Sequence, residues 1–382
     1  MGEEKQKRFW NREYGLICLC NFLLCASIFL QFPLFGQWAA ENDKLSGHTF
    51  VCAALFAVGM FISGPFNAFW VDRFRRKRVC GVAILGLVVT SVGMTTVRTL
   101  WELGALRLIE GGCFGILQMA MGGTLINDLS VSSKRTLTDS FYLWFARLSF
   151  APAIAAAWYL SEMYGLDGAF EVSVMLQLVA LLVLGTVKVS FHAPTHVSLI
   201  SLDRFWHPRA LMLVLNLLPV MVVQGMLLGG NIPPEFIGML AMGLLIAFVT
   251  HRTFFEEADY RADAVAGLLL MMGSSLLLLL QDEPRVLYFA FTLLGIGLGW
   301  FNSRFFLYFL KLSGHCQRGT LQQTYILTSM LGLCMGFVLT GLNINQYFWA
   351  LILSAFSLLM YLFIVHPWFQ RNKDRNFKFR EV

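Results

Sequence analysis

Charged residues are scarce in this sequence of 382 residues. Asp, Glu, Lys and Arg make up 14% of the chain, whereas about a quarter of a typical soluble domain is charged. Hydrophobic residues make up 57%, and the mean hydropathy is +0.65. A soluble fold could not hide that much apolar surface from water. The composition therefore excludes an ordinary globular protein and predicts an integral membrane protein.

The apolar stretches lack the alternation of apolar and polar residues that a membrane β-barrel needs, and they are too long for barrel strands. Crossing about 30 Å of hydrocarbon takes about 20 residues of α-helix. We therefore predict an all-α membrane protein with twelve transmembrane helices. They lie near 14–36, 48–70, 79–97, 103–127, 140–160, 167–190, 209–229, 235–254, 263–280, 286–310, 320–342 and 346–366.

Lys and Arg are nearly absent from every second loop between these spans. With both termini on one side, 23 cations fall on that side and three, Lys44, Arg98 and Arg285, on the other. Cytoplasmic loops are enriched in Lys and Arg, so we predict that both termini are cytoplasmic. The formal net charge of +6 is then a sign of topology and of contact with anionic lipid headgroups, not of nucleic-acid binding.

The outward loops carry none of the eight cysteines, so the sequence offers no disulfide framework. The sequence also has no Asn-x-Ser/Thr glycosylation acceptor. These absences, with the short outer loops, favour a bacterial inner membrane; a eukaryotic organelle is the alternative.

Two short patterns of the first half recur in the second half at similar offsets. Ala68–Arg73 reads AFWVDR, and Ala247–Arg252 reads AFVTHR. An Arg followed closely by Thr lies after the fourth predicted span, at Arg135, and after the tenth, at Arg318. The repetition predicts that the second half of the chain repeats the architecture of the first.

Twelve spans with an internal repeat predict two pseudo-symmetric six-helix bundles. The first bundle comprises residues 1–190 and the second comprises residues 209–382 with a cytoplasmic tail. A cytoplasmic linker, residues 191–208, joins them. This plan is typical of transporters whose substrate site lies between the two repeats.

The segment Ala68–Lys77 (AFWVDRFRRK) resembles the signature loop of the major facilitator superfamily, between the second and third helices of that fold. Two glycines of the motif are replaced, by Ala68 and Arg75. The residues that match are Asp72, Arg73, Arg76 and Lys77. The resemblance implies that these residues gate the protein, with Asp72 latching the inner ends of neighbouring helices in the outward-facing state.

Two further segments resemble motifs of the same superfamily. Arg107–Gly111 (RLIEG) resembles the fourth-helix motif R-x-x-Q-G, with Glu110 in place of glutamine. Arg147–Ala156 resembles the antiporter motif of the fifth helix more weakly, with Pro152 as its one identical residue. The resemblance implies the twelve-helix fold of that superfamily and transport of a small molecule.

Charged side chains inside spans indicate functional sites, because burying them in a bilayer is costly. Arg107 and Glu110 are spaced three apart and share a helix face, so they can form an ion pair. We interpret Glu110 as a proton carrier that Arg107 assists; a purely structural, neutralised pair is the alternative.

Arg147 and Arg304 are the other cations inside spans. Three buried cations against one clear buried acid predict an electropositive cavity and an anionic or amphipathic substrate. Neutral polar side chains in the cavity-lining helices complete the predicted substrate site. Its residues are Asn21, Gln31, Arg107, Gln118, Arg147, Gln224 and Arg304.

These features predict a secondary active transporter that is coupled to protons and works by alternating access. It would act as a monomer among membrane lipids, without a cofactor or a metal ion. One alternative is a transporter-like protein with a scaffolding or sensing role. A membrane-embedded enzyme is a weaker alternative, because no converging acid and base or set of metal ligands is evident.

Overall fold

The computed structural model describes residues 10–41, 46–130, 134–189, 197–230, 232–253, 260–314, 317–342 and 344–373. Every secondary-structure element in these ranges is helical. In the first half of the chain the helices are α1 (Arg12–Glu41), α2 (Ser46–Ser63), α3 (Asn67–Arg73), α4 (Arg76–Met94), α5 (Leu100–Ala120), α6 (Ile126–Leu129) and α7 (Arg135–Thr186). In the second half they are α8 (Leu211–Gly229), α9 (Pro234–Thr253), α10 (Tyr260–Leu280), α11 (Pro284–Lys311), α12 (Arg318–Thr340), α13 (Gln346–Met360) and α14 (His366–Lys373).

Three pairs of these helices are continuous rods. A 3₁₀ turn at Gly64–Phe66 joins α2 to α3, where Gly64 and Pro65 interrupt the regular α-helix. Turns of π-helix at Met121–Leu125 and Tyr361–Val365 join α5 to α6 and α13 to α14. Each pair therefore makes one crossing of the membrane.

Helix α7 contains two crossings. It has 52 residues, and Gly165 within it has φ +75° and ψ 177°, which is not helical. At 1.5 Å per residue an unbroken rod of this length would be about 78 Å long, more than twice the thickness of the hydrocarbon core. A positive φ favours glycine, so Gly165 is the residue at which the fifth predicted span ends and the sixth returns.

The described residues contain ten helices that are long and apolar enough to cross a membrane. Helix α7 counts twice, and α9 adds a shorter apolar helix, Pro234–Thr250. The prediction of twelve transmembrane helices is confirmed. Apolar side chains also cover the outside of the bundle: Val82, Leu182 and Phe363 are 70%, 71% and 74% exposed. A surface of this kind is stable against lipid, so the protein is a multi-pass integral membrane protein.

The helices associate in two groups. In the first half α1 packs along α7 and α2 packs along α5; in the second half α8 packs along α12 and α9 packs along α11. These pairs correspond to each other after a shift of six spans. The two groups meet where α2 lies against α12 and α7 lies against α9. The architecture is thus two pseudo-symmetric bundles of six crossings each.

Glycines show the repeat most directly. A Cβ atom at Gly59 would collide with the carbonyl oxygen of Leu108, and one at Gly243 with that of Thr292. Likewise, a Cβ atom at Gly111 would collide with the carbonyl oxygen of Phe56, and one at Gly295 with that of Leu240. All four residues of the second half follow their counterparts at the same offset along the chain. Small residues at such crossings let two helix backbones approach closely, as in many membrane helix pairs.

One end of the bundle is rich in cations, and we call it the basic end. It carries Arg76, Arg204 and Arg318, whose ion pairs are described below. Helices α1, α7, α8 and α12 begin there. The predicted bundle and linker boundaries stay a prediction, since residues 190–196 lie outside the described part of the chain.

We predict that Gly243→Ala destabilises the protein, because the added methyl group would meet backbone atoms of α11. Overpacking of this kind costs about 1–3 kcal/mol. Thermal unfolding of the purified protein in detergent measures the effect. Gly238→Ala in the same helix is the matched control, since a Cβ atom there meets nothing within 4 Å. Equal unfolding temperatures for the two variants would show that the close crossing of α9 and α11 is wrong.

Candidate functional site

Asp72 joins the end of α3 to the linker between the two halves. Its carboxylate lies 3.0 Å from Nε of Arg204 and 3.9 Å from Nη2 of Arg76. Arg76 also forms an ion pair with Asp128, at the end of α6. Asp72 therefore connects neighbouring segments at the basic end, and its partner distant in sequence is a linker residue, Arg204; the gating role of Asp72 stays a prediction.

The other two residues of the motif have different surroundings. The ammonium group of Lys77 donates hydrogen bonds of 2.7 Å to the carbonyl oxygens of Gly185 and Val187. It thereby satisfies backbone acceptors at the end of α7. The guanidinium of Arg73 lies over the ring of Phe69, 5.2 Å from its centroid. The residues of the motif thus form ion pairs with α6 and the linker and hydrogen bonds with the end of α7.

The linker contacts both halves of the protein. On one side, the amide of Ser201 donates to the carbonyl oxygen of Pro65 at 2.9 Å, and Phe205 packs on Gly64, where a Cβ atom would collide with its ring. On the other side, the hydroxyl of Thr320 in α12 accepts a hydrogen bond of 2.9 Å from the amide of Arg204. Arg204 has φ +56°, an uncommon conformation for a residue other than glycine.

A direct ion pair also joins the two halves at the basic end. Nε of Arg318, at the start of α12, lies 2.7 Å from Oδ2 of Asp139 in the second turn of α7. Its Nη2 atom donates to the hydroxyl of Thr136 at 2.8 Å. Asp139 is completely buried. Neither Asp139 nor Arg318 was among the residues predicted for the gate; the repeated Arg and Thr pattern that includes Arg318 predicted only the internal repeat.

The opposite end of the bundle is open. A cleft of about 1070 Å³ lies between the two halves there. Its lining residues come from the ends of α1, α8 and α12, the start of α2, the middle of α7 and the loop before α13; among them are Gln37, Phe50, Trp158, Gly229, Thr340 and Gln346. None of the predicted substrate-site residues is among those that line this cleft. At the basic end a much smaller cavity, about 180 Å³, lies beside Asn127, Arg204 and Arg318.

Aromatic rings lie at the base of the cleft, between it and the polar interior. Phe337 of α12 contacts Phe50 of α2, with ring centroids 4.7 Å apart, and Phe32 of α1, at 5.1 Å. These contacts cross from one half to the other. They help to explain why the predicted site residues, which lie beyond this layer, are buried.

Arg107 and Glu110 form the ion pair that their spacing predicted. Nη1 of Arg107 lies 2.6 Å from Oε2 of Glu110, and both side chains are fully buried. Gln31 of α1 joins them: its carbonyl oxygen accepts from Arg107 at 2.9 Å, and its amide donates to Glu110 at 3.0 Å. The hydroxyl of Ser91 donates to Glu110 at 3.2 Å. The carboxylate is therefore held by groups from α1, α4 and α5.

Three aromatic rings enclose the Arg107 guanidinium. Its central carbon lies 4.7 Å from the ring centroid of Phe32, 5.0 Å from that of Phe35 and 4.6 Å from that of Phe56. Nε donates to the carbonyl oxygen of Ala53 at 3.0 Å. All the groups that bind Arg107 belong to the first half of the protein. Its Nη2 atom has no hydrogen-bond partner.

Asn21 and Gln118, two more of the predicted substrate-site residues, bind each other. The amide of Gln118 donates to Oδ1 of Asn21 at 2.9 Å, and the hydroxyl of Tyr142 donates to Oε1 of Gln118 at 2.8 Å. The amide of Asn21 in turn donates to the carbonyl oxygen of Tyr142 at 3.0 Å. This closed set connects α1, α5 and α7, and it illustrates how polar side chains join helices inside a membrane.

Arg304 requires a correction to the count of buried charges. Its Nε atom lies 2.5 Å from Oδ2 of Asp263, and the two side chains are only 4% and 7% exposed. The sequence count of three buried cations against one clear buried acid omitted Asp263, which lies in the first turn of α10. The excess of positive charge expected from Arg304 is therefore neutralised within the second half.

Arg147 and Gln224 lie at the contact between the two halves. Nη2 of Arg147, in α7, donates to the carbonyl oxygen of Asn302 at 2.9 Å and to the hydroxyl of Tyr325 at 3.0 Å. The amide of Asn302 reaches Oε1 of Gln224 at 3.4 Å. Of the predicted substrate-site residues, only these two are linked across the halves, and the link runs through Asn302 and not through a direct contact. Asn302 and Tyr325 were not selected for the site, because polar residues in spans are common and their partners cannot be read from spacing.

Metal ligation has no support in the described ranges, where no group of three or more His, Cys, Asp or Glu side chains is placed to hold an ion. The polar groups of the interior are amides, hydroxyls, ion-paired charges and the guanidinium of Arg147. Such groups can bind a small polar or anionic molecule and can hold a proton.

Comparison with known proteins identifies the fold. No protein family model matches the chain. A segment is 31% identical over 97 residues to the class C tetracycline resistance protein of Escherichia coli, covering 25% of this chain and 24% of that protein. Another is 27% identical over 139 residues to protein spinster homolog 3 of Danio rerio, covering 34% of this chain and 26% of that protein. The matched segments thus span about a quarter of each curated relative.

The solved structure of the human organic anion transporter MFSD10 (TETRAN) matches almost the whole chain. The TM-score is 0.66, and the alignment covers 92% of this chain and 99% of that one at 15% sequence identity. At this identity the match establishes the fold. The chain has the major facilitator superfamily fold, and the resemblance seen in its sequence motifs is confirmed.

We predict that Glu110→Gln destabilises the protein by about 3–5 kcal/mol, because it leaves the Arg107 cation buried without a carboxylate. The single variants Arg107→Met and Glu110→Leu complete a double-mutant cycle. The variant that carries both substitutions should lose at least about 1 kcal/mol less stability than the two single variants lose together, since the pair acts as a unit. Chemical unfolding in mixed detergent measures both. Glu162→Gln, at an exposed position, serves as the control. Additive losses would argue against a coupled pair.

Proposed function

We propose that the protein is a secondary active transporter that carries a small molecule across the membrane by alternating access. The observation that carries this proposal is the asymmetry between the two ends of the bundle. At the basic end the ion pair of Arg318 with Asp139 joins the halves, and that of Asp72 with Arg204 joins the first half to the linker. At the other end a cleft of about 1070 Å³ separates the halves. If the halves tilt about their contact, the first end opens as the second closes.

The boundaries of the moving units follow from the same proposal. Residues 1–190 and 209–382 would move as two bodies, and the linker 191–208 would join them on the cytoplasmic side. Both termini would then be cytoplasmic and the open cleft would face away from the cytoplasm. The cation distribution supports this orientation, and the short outer loops favour a bacterial inner membrane.

The gate in this proposal consists of Asp72, Arg76 and Lys77 of the motif together with the two residues that the structure adds, Asp139 and Arg318. These ties close the basic end when the cleft is open. Arg73 packs on its own helix, so we assign it a supporting role. Each tie contributes a few kcal/mol at most, which is small enough for a ligand to shift the balance between the two states.

Protons are the coupling ion in this proposal, and Glu110 carries the proton. The carboxylate accepts hydrogen bonds from Gln31 and Ser91 and pairs with Arg107. Protonation of Glu110 would weaken the pair and free these donors, which belong to other helices. A proton could thereby alter the packing of α1 and α4 against α5.

The substrate is a small molecule that is anionic or amphipathic. Arg147 and Gln224, between the halves, are the residues of the predicted site that are placed to meet it. The neighbour of the same fold is named an organic anion transporter, and one relative is named a tetracycline resistance protein. We regard the protein as a functional monomer that needs no cofactor. A role in scaffolding or sensing without transport is the alternative.

We predict that proteoliposomes containing the protein move a substrate in response to a pH gradient, with a pH-sensitive dye inside as the readout. The test set is 2-naphthoate, tetracycline and tetraphenylphosphonium, which represent anionic, amphipathic and cationic compounds. Glu110→Gln should abolish gradient-driven accumulation but keep exchange of substrate for substrate. Glu162→Gln should behave like the wild type. Accumulation unchanged in Glu110→Gln would remove Glu110 from coupling, and no flux of any compound would support the non-transport alternative.

We also predict that Arg318→Gln opens the basic end more often, because Asp139 loses its partner across the halves. Maleimide labelling of a cysteine placed at Asn127, beside the small cavity at that end, should become at least about threefold faster. Labelling of a cysteine at Thr340, in the open cleft, should become slower. Lys134→Gln removes an exposed cation from the same end and should change neither rate. Identical rates in all variants would contradict the gate.

A further inference from the structure

Arg147 differs from the other cations buried within the spans. Arg107 is paired with Glu110, and Arg304 is paired with Asp263. Arg147 is 9% exposed, yet it forms no ion pair with any carboxylate in the described ranges. Its Nη2 atom has two neutral acceptors, and its Nη1 atom has no partner. A buried cation with a free donor is costly unless an anion completes it.

The groups around Arg147 suit an organic anion. The guanidinium lies beside two aromatic rings, with 5.3 Å to the ring centroid of Trp144 and 5.9 Å to that of Tyr325. The hydroxyl of Tyr325 is 3.0 Å away and can rotate to donate to a new acceptor. Phe306 packs on Tyr325 with ring centroids 5.1 Å apart. The surroundings therefore provide donors for a charged group and aromatic faces for an apolar one.

Polar atoms without hydrogen-bond partners lie near this cluster, and a ligand could satisfy them. Oδ1 of Asn302 has no hydrogen-bond partner, and neither do the two amide atoms of Gln322, which lies one turn before Tyr325 in α12. Buried amides are normally paired. The amide of Asn302 makes only a long contact, 3.4 Å, with Gln224. Two polar side chains of the second half, Asn302 and Gln322, thus have polar atoms without hydrogen-bond partners, and Arg147 is the nearby cation of the first half.

One residue of the cluster, Gln224, lies close to the open cleft. Leu228 lines the cleft, and Gln224 precedes it by four residues in α8, about 6 Å along the helix axis. A molecule that entered the cleft would need to pass only about one helical turn further to reach Gln224. Arg147 lies deeper, at the contact between the halves, because it precedes the cleft-lining Trp158 of α7 by about 16 Å along the helix axis.

We propose that Arg147, with Tyr325, Asn302 and Gln224, binds the carboxylate of an amphipathic organic anion, whose apolar part lies against Trp144 and Tyr325. This assignment rests on the proposed transport function and names its substrate class. The carboxylate accepts hydrogen bonds from the guanidinium and so competes with the Asn302 carbonyl and the Tyr325 hydroxyl. Those two bonds join α7 to α11 and α12. Substrate binding therefore replaces a tie between the halves by contacts to the substrate.

The test compares two ligands of the same ring system and nearly the same size, the anionic 2-naphthoate and the neutral 2-naphthamide. Their dissociation constants are measured by titration calorimetry on the purified full-length protein in detergent. We expect the wild type to bind the carboxylate at least about tenfold more tightly than the amide, since hydrogen bonds to charged groups are about twice as strong as neutral ones. Absence of this preference in the wild type would overturn the assignment.

Three variants locate the preference. Arg147→Gln should reduce it to less than about twofold, and Arg147→Lys should retain part of it, because the charge remains without the planar fork. Arg98→Gln removes an exposed cation and should leave it unchanged. Should Arg147→Gln not yield folded protein, Tyr325→Phe decides, with an expected loss of carboxylate affinity of about fivefold and no loss for the amide. If Arg147→Gln, or Tyr325→Phe in its place, kept the full preference for the carboxylate, the assignment would be overturned.

The same measurement separates this assignment from the proposed function. Binding in detergent needs no gradient and no conformational cycle. Gradient-driven flux of a cationic or neutral compound, together with no preference for the carboxylate, would leave transport in place and remove the anion site. A preference that depends on Arg147, together with no flux of any compound, would keep the anion site and remove transport.

Discussion

The ion pair between Arg318 and Asp139 directly joins the two halves of the protein at the basic end. It joins the start of α12 to the start of α7, two helices that occupy equivalent places in the two halves. The Asp139 side chain is fully buried, whereas that of Arg318 is 25% exposed. A buried carboxylate without a partner costs several kcal/mol, so Asp139 is stable only while the halves are closed at this end or while water reaches it. Breaking the ion pair would therefore require water to reach Asp139. Arg318 is already partly exposed to water, so its own hydration would add little to the cost.

Contacts within each half differ in kind from contacts between the halves. Inside the halves, Gly59 and Gly111, and their counterparts Gly243 and Gly295, bring helix backbones together so closely that no side chain fits. Between the halves at the basic end, ion pairs and single hydrogen bonds to Thr136, Thr320 and the linker predominate. Close backbone packing resists deformation, whereas polar contacts at a hydrated end can be exchanged for water. The structure is thus suited to movement of two rigid bodies.

The sequence predicted those features that depend on local properties. Span length and hydropathy determine the twelve crossings, and the ion pair of Arg107 with Glu110 follows from a spacing of three on one helix. The pairs of Asp139 with Arg318 and of Asp263 with Arg304 were missed, because both acids lie at the predicted borders of spans and read as loop residues. Their partners lie on other helices, far along the chain, and only tertiary packing shows that they meet. The polar residues chosen for the substrate site were found mostly to bind one another, as Asn21 and Gln118 do.

Distances between spin labels at the two ends would show whether two rigid halves tilt about their contact. One pair of labels would join Arg78 to Lys311 at the basic end, and the other would join Thr96 to Leu342 at the open end; all four positions are exposed. Pulsed electron resonance in nanodiscs, with and without 2-naphthoate and at two pH values, would record both distance distributions. If the halves tilt, any condition that lengthens the first distance shortens the second. Distances that change together, or that stay fixed at both ends under every condition, would rule out the tilting movement.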